Sequence, residues 1–201
     1  MRALRQWAAC LALLCAHGAA SAGAQVYEPL AASVQAALSK AVSDRAPPTS
    51  AFKSKLDEVE WLTAMSRRLD IRIRDHQMRI AFLKSVHYEA SRAGLDPQLV
   101  LGLIQVESGF KKYAVSRAGA RGFMQVMPFW VKLIGAKGDN LFDMRKNIRY
   151  GCTILRHYLD IEKGDLYRAL GRYNGSLGKP AYPRAVEAAW KYRWHYDGRL
   201  V

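Results

Sequence analysis

The 201-residue sequence predicts a mainly α fold. Apolar residues recur every three or four positions in successive segments from Phe52 onward, which is the period of an amphipathic helix. Helix start and stop signals, such as Asp96-Pro97 and Asn174-Gly175, bracket several of these segments. No segment is rich in the alternating pattern of strands, and no internal repeat is found.

The first 24 residues have the pattern of a secretory signal peptide. A basic start (MRALRQ) is followed by an apolar run (WAACLALLCA) and by small residues (HGAASAGA). This apolar run is too short to span a bilayer, and Leu14 before Cys15 does not suit a lipoprotein signal. We expect the signal peptide to be cleaved after Ala22 or Ala24. The mature protein is expected in the periplasm, where it can associate with the outer membrane or the cell wall.

Export changes how the charge and the cysteines are interpreted. The chain carries 31 basic and 17 acidic residues; without Arg2 and Arg5 the balance is 29 against 17, a net charge of +12. A cytosolic protein with this charge would suggest a nucleic-acid partner, whereas an exported one first meets peptidoglycan carboxylates and anionic membrane surfaces. Cys152 is the cysteine that remains, so we expect it to be buried rather than in a disulfide.

Residues 25–75 are expected to form an N-terminal helical extension with a linker. Residues 25–50 suggest a short helix followed by a break at Pro47-Pro48. Residues 52–69 suggest one amphipathic helix. Its expected buried positions are Phe52, Leu56, Val59, Leu62, Met65 and Leu69.

Residues 76–196 are expected to form the main domain. A helix over 76–92 is closed by Gly94, and Asp96-Pro97 begins another that ends at Gly109. Residues 111–127 predict a loop with a small β-hairpin. Further helices are expected from Pro128, around Ile148 to Leu159, after Asp165 and from near Pro183.

Glu107 is the residue whose position needs a chemical explanation. Val100, Leu103, Ile104 and Glu107 share one face of the predicted helix, so an acid lies on an apolar stripe in the last turn. Loss of hydration and the negative end of the helix dipole both raise the pKa of a carboxyl group. A carboxyl group that stays protonated near neutral pH is suited to general acid catalysis.

Several motifs in order along the chain resemble the soluble lytic transglycosylase (SLT) domain family. They are Glu107-Ser108-Gly109-Phe110, Ala114-Val115-Ser116, Gly119-Ala120, Gly122-Phe123-Met124-Gln125-Val126-Met127-Pro128, Asn147-Ile148 with Gly151, Tyr158-Leu159 and Tyr173-Asn174. The resemblance covers roughly residues 80–192. The family usually has Leu at the position of Phe123. It usually has Ala-Tyr-Asn-Ala-Gly where this chain has Arg172-Tyr173-Asn174-Gly175-Ser176.

The resemblance implies a lysozyme-like helical domain and a peptidoglycan lytic transglycosylase. Glu107 would protonate the oxygen of the MurNAc-β-1,4-GlcNAc bond. As a carboxylate it would then take the proton of the muramic C6 hydroxyl, which attacks C1 and leaves a 1,6-anhydroMurNAc end. One carboxyl group serves both steps, whereas most glycosidases need two.

Six further residues are candidates for substrate binding. Tyr173 is expected to direct its hydroxyl at Glu107, and Asn174 to contact a sugar or to cap its helix. Met124 and Gln125 offer a thioether and an amide to the sugar, and Ser108 a hydroxyl. Tyr182 is a candidate for stacking on a sugar ring, although core packing explains it equally well.

No metal site or cofactor is expected, because the histidines have no ligand spacing and no nucleotide-binding motif occurs. Asp139, Asp143, Asp160, Glu162 and Asp165 are best explained as helix caps or surface charges. The absence of a compelling second acid mildly favours a lyase.

Three alternatives stay open. They are a lysozyme-type hydrolase that uses the same Glu107, a non-catalytic peptidoglycan-binding or secretion-scaffold protein, and a basic nucleic-acid binder, against which the signal segment argues. The expected partners are peptidoglycan glycan strands, with other cell-envelope proteins as further candidates and no nucleic acid. The protein is expected to be a monomer.

Overall fold

The computed structural model describes residues 25–43 and 51–198, and within these ranges the protein is helical. The predicted mainly α fold is confirmed. The α-helices are α1 (Ala32–Ser43), α2 (Lys55–Leu69), α3 (His76–Arg92), α4 (Pro97–Ser108), α5 (Phe129–Ile134), α6 (Met144–Ile161), α7 (Leu166–Asn174) and α8 (Ala181–Ala188), and a π-helical stretch, Ala189–Trp194, continues α8. The signal peptide and the linker around Pro47-Pro48 lie outside the described residues.

Local capping signals place most helix ends where the sequence predicts them. Asp96 accepts a hydrogen bond from the Gln98 backbone N–H, and Pro97 occupies the first turn of α4. Gly109 ends α4 in the left-handed region, with φ of 57°, and Gly175 ends α7 in the same way, with φ of 72°. The α4 helix therefore ends directly after Glu107 and Ser108.

Helix α4 lies at the centre of the packing. It contacts α3, α8 and the π-helical stretch, and Leu101, Leu103 and Ile104 are fully buried. A side chain at Gly102 would place its Cβ 2.9 Å from the Trp190 backbone nitrogen. The absence of a side chain there allows the C-terminal segment to approach α4 closely, which brings α8 beside the end of α4.

The loop between α4 and α5 contains very little β-structure. Two isolated antiparallel bridges join Val115 to Arg121 and Arg121 to Val126. The expected hairpin is thus reduced to a tight turn closed by single backbone pairs.

The predicted buried face of α2 is partly wrong. Leu62, Met65 and Leu69 are buried as expected, but Leu56 and Val59 are exposed. Trp61 lies inside instead, packed with Phe52, which precedes the helix, and with His87 of α3. Trp61 has more apolar surface to bury than Leu56 or Val59, so the face of α2 that carries Trp61 is turned to the core.

Helices α3 and α6 are joined by a buried cluster of charges. The Glu89 carboxylate is fully buried and accepts hydrogen bonds from Arg149, with Nη2 at 2.7 Å. Arg92 and Arg145 lie within ion-pair distance of the same carboxylate. A buried charge is tolerated where such partners compensate for lost hydration.

Candidate active site

The Glu107 carboxyl group lies at the end of α4, with 9% of the residue exposed. The Tyr182 hydroxyl, from α8, donates a hydrogen bond to its Oε1 at 2.5 Å. Burial raises the pKa of Glu107 from 4.5 to about 8, and the hydrogen bond from Tyr182 opposes part of that rise. Hence the carboxyl group can hold a proton at neutral pH. The direction of this pKa shift is the one expected from its position on the apolar stripe.

The second oxygen of this carboxyl group, Oε2, has no hydrogen-bond partner among residues 25–43 and 51–198. Tyr182 therefore fixes the orientation of Glu107 through Oε1 and leaves Oε2 available to another molecule. This division suits a residue that passes a proton to a substrate, because one oxygen positions the group and the other can react.

Tyr173 has a contact different from the one expected, and Tyr182 follows the core-packing alternative and not the sugar-stacking one. Tyr182 is buried and bonded to Glu107, so it does not present a ring for stacking on a sugar. Tyr173, expected to contact Glu107, instead donates its hydroxyl to the Met124 carbonyl oxygen at 2.8 Å. The contact to Glu107 comes from α8 because the close approach at Gly102 places that helix beside the end of α4.

Residues 122–127 form a tight turn that Asn147 of α6 holds in place. The Asn147 side chain accepts from the Met124 backbone N–H at 2.8 Å. Its amide nitrogen donates to the carbonyl oxygens of Arg121 and Leu141, at 2.8 and 2.9 Å. A Cβ at Gly122, where φ is 76°, would lie 2.5 Å from this amide nitrogen, so the turn requires glycine there.

Met124 is a correction to the predicted set of sugar contacts. Its side chain is fully buried and packs so closely on α6 that a Cβ at Gly151 would lie 2.4 Å from its sulfur. Because the sulfur has no exposed surface, it is not available to a sugar, and Met124 instead packs the turn against α6. Met127, three residues later, is only half-buried.

Gln125 and Ser108 use their donor groups within the protein. Gln125 Nε2 donates to the carbonyl oxygens of Ala114 and Gly122 at 3.1 and 2.9 Å. The Ser108 hydroxyl donates to the Phe123 carbonyl oxygen at 2.7 Å, which fastens the end of α4 to the turn. What Gln125 can still offer a ligand is its acceptor oxygen.

Asn174 is buried at the end of α7, and its Nδ2 has no hydrogen-bond partner in the part of the chain that the structure describes. A buried donor without a partner costs about 1–3 kcal/mol. Such a group is more easily understood if a ligand supplies the missing acceptor.

The remaining acids are occupied elsewhere. Asp143 and Asp165 cap α6 and α7, and Asp160 pairs with Arg156. Asp139 pairs with Lys146 and accepts from the Tyr150 hydroxyl. Glu162 pairs with Arg168 and Arg172. These contacts agree with the interpretation of the five acids as caps and surface charges.

Sequence reasoning missed two residues beside the site. Asn147 stands in a quoted motif, yet nothing local shows that its amide holds a turn more than twenty residues away. Gln25 lies immediately after the predicted signal peptide, is 4% exposed and accepts from the Met127 backbone N–H at 3.2 Å. No periodicity or motif marks it.

Neither a metal centre nor a membrane span is found in the described residues. They contain no group of three or more His, Cys, Asp and Glu side chains arranged to hold a metal ion. None of their helices combines the length and the apolarity needed to cross a bilayer. A cavity of about 390 Å³ lies between α1 and α6, where Leu38, Ala41 and His157 line it; Glu107 is not part of it.

Comparison with known proteins places the site within a family. The transglycosylase SLT domain family matches residues 84–189. A transglycosylase of Enterobacteria phage PRD1 is 40% identical over 90 residues, 45% of this chain and 33% of that protein. The membrane-bound lytic murein transglycosylase C of Mannheimia succiniciproducens is 40% identical over 83 residues, 37% of this chain and 23% of that protein. The membrane-bound lytic murein transglycosylase C of Yersinia pestis is 34% identical over 113 residues, which are 48% of this chain and 32% of that protein.

The matches thus cover a third or less of the length of these relatives. Among solved structures, an inactive mutant of the lytic transglycosylase Slt from Pseudomonas aeruginosa aligns with a TM-score of 0.44 and 25% identity, over 62% of this chain and 21% of that one. The SLT match itself covers more than half of the 201 residues, and the chain therefore belongs to the transglycosylase SLT domain family.

Proposed function

We propose that this protein is a peptidoglycan lytic transglycosylase in which Glu107 is the single general acid and base. The observation that carries the proposal is the Glu107 carboxyl group itself, buried at the end of α4 and oriented by Tyr182 at 2.5 Å. Its pKa, raised to about 8 by burial, keeps it protonated before the reaction. Membership of the SLT family supplies the substrate class.

The first step is protonation of the glycosidic oxygen between MurNAc and GlcNAc. Glu107 Oε2, the oxygen that Tyr182 leaves free, donates the proton as the bond from C1 to the leaving oxygen breaks. Positive charge develops at C1, and the acetamido group of the substrate itself can stabilise that charge. The carboxylate that remains keeps its hydrogen bond from Tyr182, which favours the charged form.

The second step uses the same carboxylate as a base. It removes the proton of the muramic C6 hydroxyl while O6 forms a bond to C1, which gives the 1,6-anhydro sugar. Glu107 ends the cycle protonated, and no water is consumed. A second catalytic carboxylate is not required, in keeping with the capping and ion-pair contacts of Asp143, Asp165 and Asp160.

Asn174, which follows Tyr173 at the end of α7, and Gln125, in the 122–127 turn, carry polar groups that are candidates for contacts with the sugars. Asn174 Nδ2 is a buried donor that lacks a partner among the described residues, and the Gln125 side-chain oxygen is an acceptor beside the same turn. Together they can bind the paired donor and acceptor groups of an acetamido sugar.

The proposed setting is the periplasm, where the protein meets its substrate. The excess of positive charge after removal of the signal, +12, complements the carboxylates of peptidoglycan stem peptides and increases the rate of encounter. Fusion of residues 1–30 to a reporter that is active only after export tests this part of the proposal.

Release of soluble fragments from purified sacculi tests the proposed activity. The unmodified protein is expected to solubilise sacculi, and Glu107→Gln to reduce the rate by about a hundredfold or more, the contribution typical of a general acid. Asp160→Asn, which changes an exposed carboxylate on α6, serves as the matched control and should retain the parental rate. Binding of sacculi without release by the unmodified protein would instead indicate a binding module.

A further inference from the structure

A short N-terminal strap, residues 25–31, crosses the surface beside the candidate active site before α1 begins. The Gln25 side-chain oxygen accepts from the Met127 backbone N–H at 3.2 Å. The Tyr27 ring meets the Phe129 ring edge to face, with centroids 5.6 Å apart. These contacts hold one side of the strap on Met127, the last residue of the 122–127 turn, and on Phe129 just after it.

The same strap also reaches the end of α7. Glu28 pairs with Arg172, at 3.3 Å from Nη1. Burial raises the pKa of Tyr173 well above its ordinary value, the nearby Glu107 raises it further, and a contact with the Gln25 amide lowers it. The strap therefore joins the two segments that carry the candidate sugar contacts, Gln125 on one side and Asn174 on the other.

Arg172 fastens the strap to the end of α7. It is held by Glu162 on one side and pairs with Glu28 on the other. The ion pair with the strap therefore uses a side chain that Glu162 already holds in position.

Helix α1 anchors the strap from its other end. It packs against α5 and α6, and Gln35 donates to the Leu133 carbonyl oxygen at 2.7 Å. Leu30, at the end of the strap, packs on the hydrophobic core. With both ends held, the strap has a defined position and does not hang free as an open tail.

We infer that the strap closes one end of the glycan-binding groove, so that the protein cleaves from the ends of glycan strands and not within them. This inference rests on the proposed function, since it assumes a glycan strand lying between the 122–127 turn and the end of α7. A peptide segment that bridges both sides blocks the continuation of a strand at that point. Gln25, which contacts both the Met127 backbone N–H and the Tyr173 side chain, is the strap residue that the terminal sugar would meet.

The first test uses the unmodified protein and uncrosslinked glycan strands of several defined lengths. At a fixed total sugar concentration, longer strands present fewer ends. Cleavage from ends therefore predicts that the initial rate is inversely proportional to strand length and that disaccharides are the early product. An initial rate independent of length, with fragments of mixed size from the start, would overturn the inference.

The second test releases the strap with Gln25→Ala, Tyr27→Ala and Glu28→Ala combined. We expect this variant to release longer fragments at an extent of cleavage equal to that of the parent, and to shorten the remaining strands several-fold faster. Val26→Ala is the matched control, because this strap side chain is 57% exposed and should leave the product sizes unchanged.

Identical product sizes from parent and folded triple variant would show that the strap does not close the groove. Circular dichroism establishes that the variant folds; if it does not, the length dependence of the unmodified protein decides. A parent that cleaves inside strands contradicts this inference alone. A parent that cleaves nothing contradicts the proposed function, and the inference falls with it.

Discussion

Replacement of the buried Glu107 by glutamine is predicted to make the protein more stable than the parent, by an amount that grows as the pH rises. The folded protein holds the Glu107 proton more tightly than the unfolded chain, with a pKa of about 8 against 4.5. Stability that is fully present below pH 4.5 is therefore lost as the pH rises towards 8. Glutamine stays neutral throughout and can still accept the hydrogen bond from Tyr182.

The magnitude follows from the same two pKa values. Each pH unit between them changes the free energy of unfolding by about 1.4 kcal/mol. The difference between Glu107→Gln and the parent should be near zero at pH 4.5. It should reach about 3 kcal/mol at pH 7 and about 5 kcal/mol above the folded pKa, a large part of the stability of an ordinary domain.

Urea unfolding of both proteins across this pH range, followed by tryptophan fluorescence, measures the difference. The matched control is Asp160→Asn, which removes an exposed ion pair worth at most about 1 kcal/mol and should show little change with pH. A Glu107→Gln difference that is constant from pH 4.5 to 8 would refute the reasoning that burial raises the pKa of this carboxyl group.

Three further substitutions have defined outcomes. Tyr182→Phe removes the bond that lowers the Glu107 pKa, so the alkaline limb of the cleavage rate should move up by about one pH unit; an unmoved limb contradicts the assigned contact. Gly151→Ala places a Cβ 2.4 Å from the Met124 sulfur and should destabilise the fold by about 1–3 kcal/mol in urea unfolding, whereas unchanged stability would contradict that packing. Asn147→Ala leaves the Met124 N–H and the Leu141 carbonyl oxygen unpaired, while the Arg121 carbonyl oxygen keeps its hydrogen bond from the Val126 N–H; the expected loss of stability is about 2 kcal/mol or more, and a loss within error would show that the turn does not depend on Asn147.

The sequence predicts those features that depend on neighbouring residues. The start of α4 follows from Asp96 as its N-cap, and its end follows from Gly109 as a stop signal. The raised pKa of Glu107 follows from its place on an apolar stripe at the end of its own helix. Each of these properties is set within one or two helical turns.

Features set by long-range packing were not predicted. The hydroxyl that contacts Glu107 belongs to Tyr182, 75 positions away, and helical periodicity does not distinguish it from Tyr173. Gln25 meets Met127 across 102 positions. The buried face of α2 depends on how Trp61 packs with Phe52 and His87, and a pattern within α2 alone does not contain those partners.

The most direct test of the central claim is the mass of the fragments that the unmodified protein releases from sacculi. A single acid and base that directs O6 at C1 predicts fragments ending in 1,6-anhydroMurNAc, each one water lighter than a hydrolysis product, and none from Glu107→Gln. Fragments of the hydrated mass would contradict the account, because they would show that water, and not the muramic hydroxyl, attacks C1.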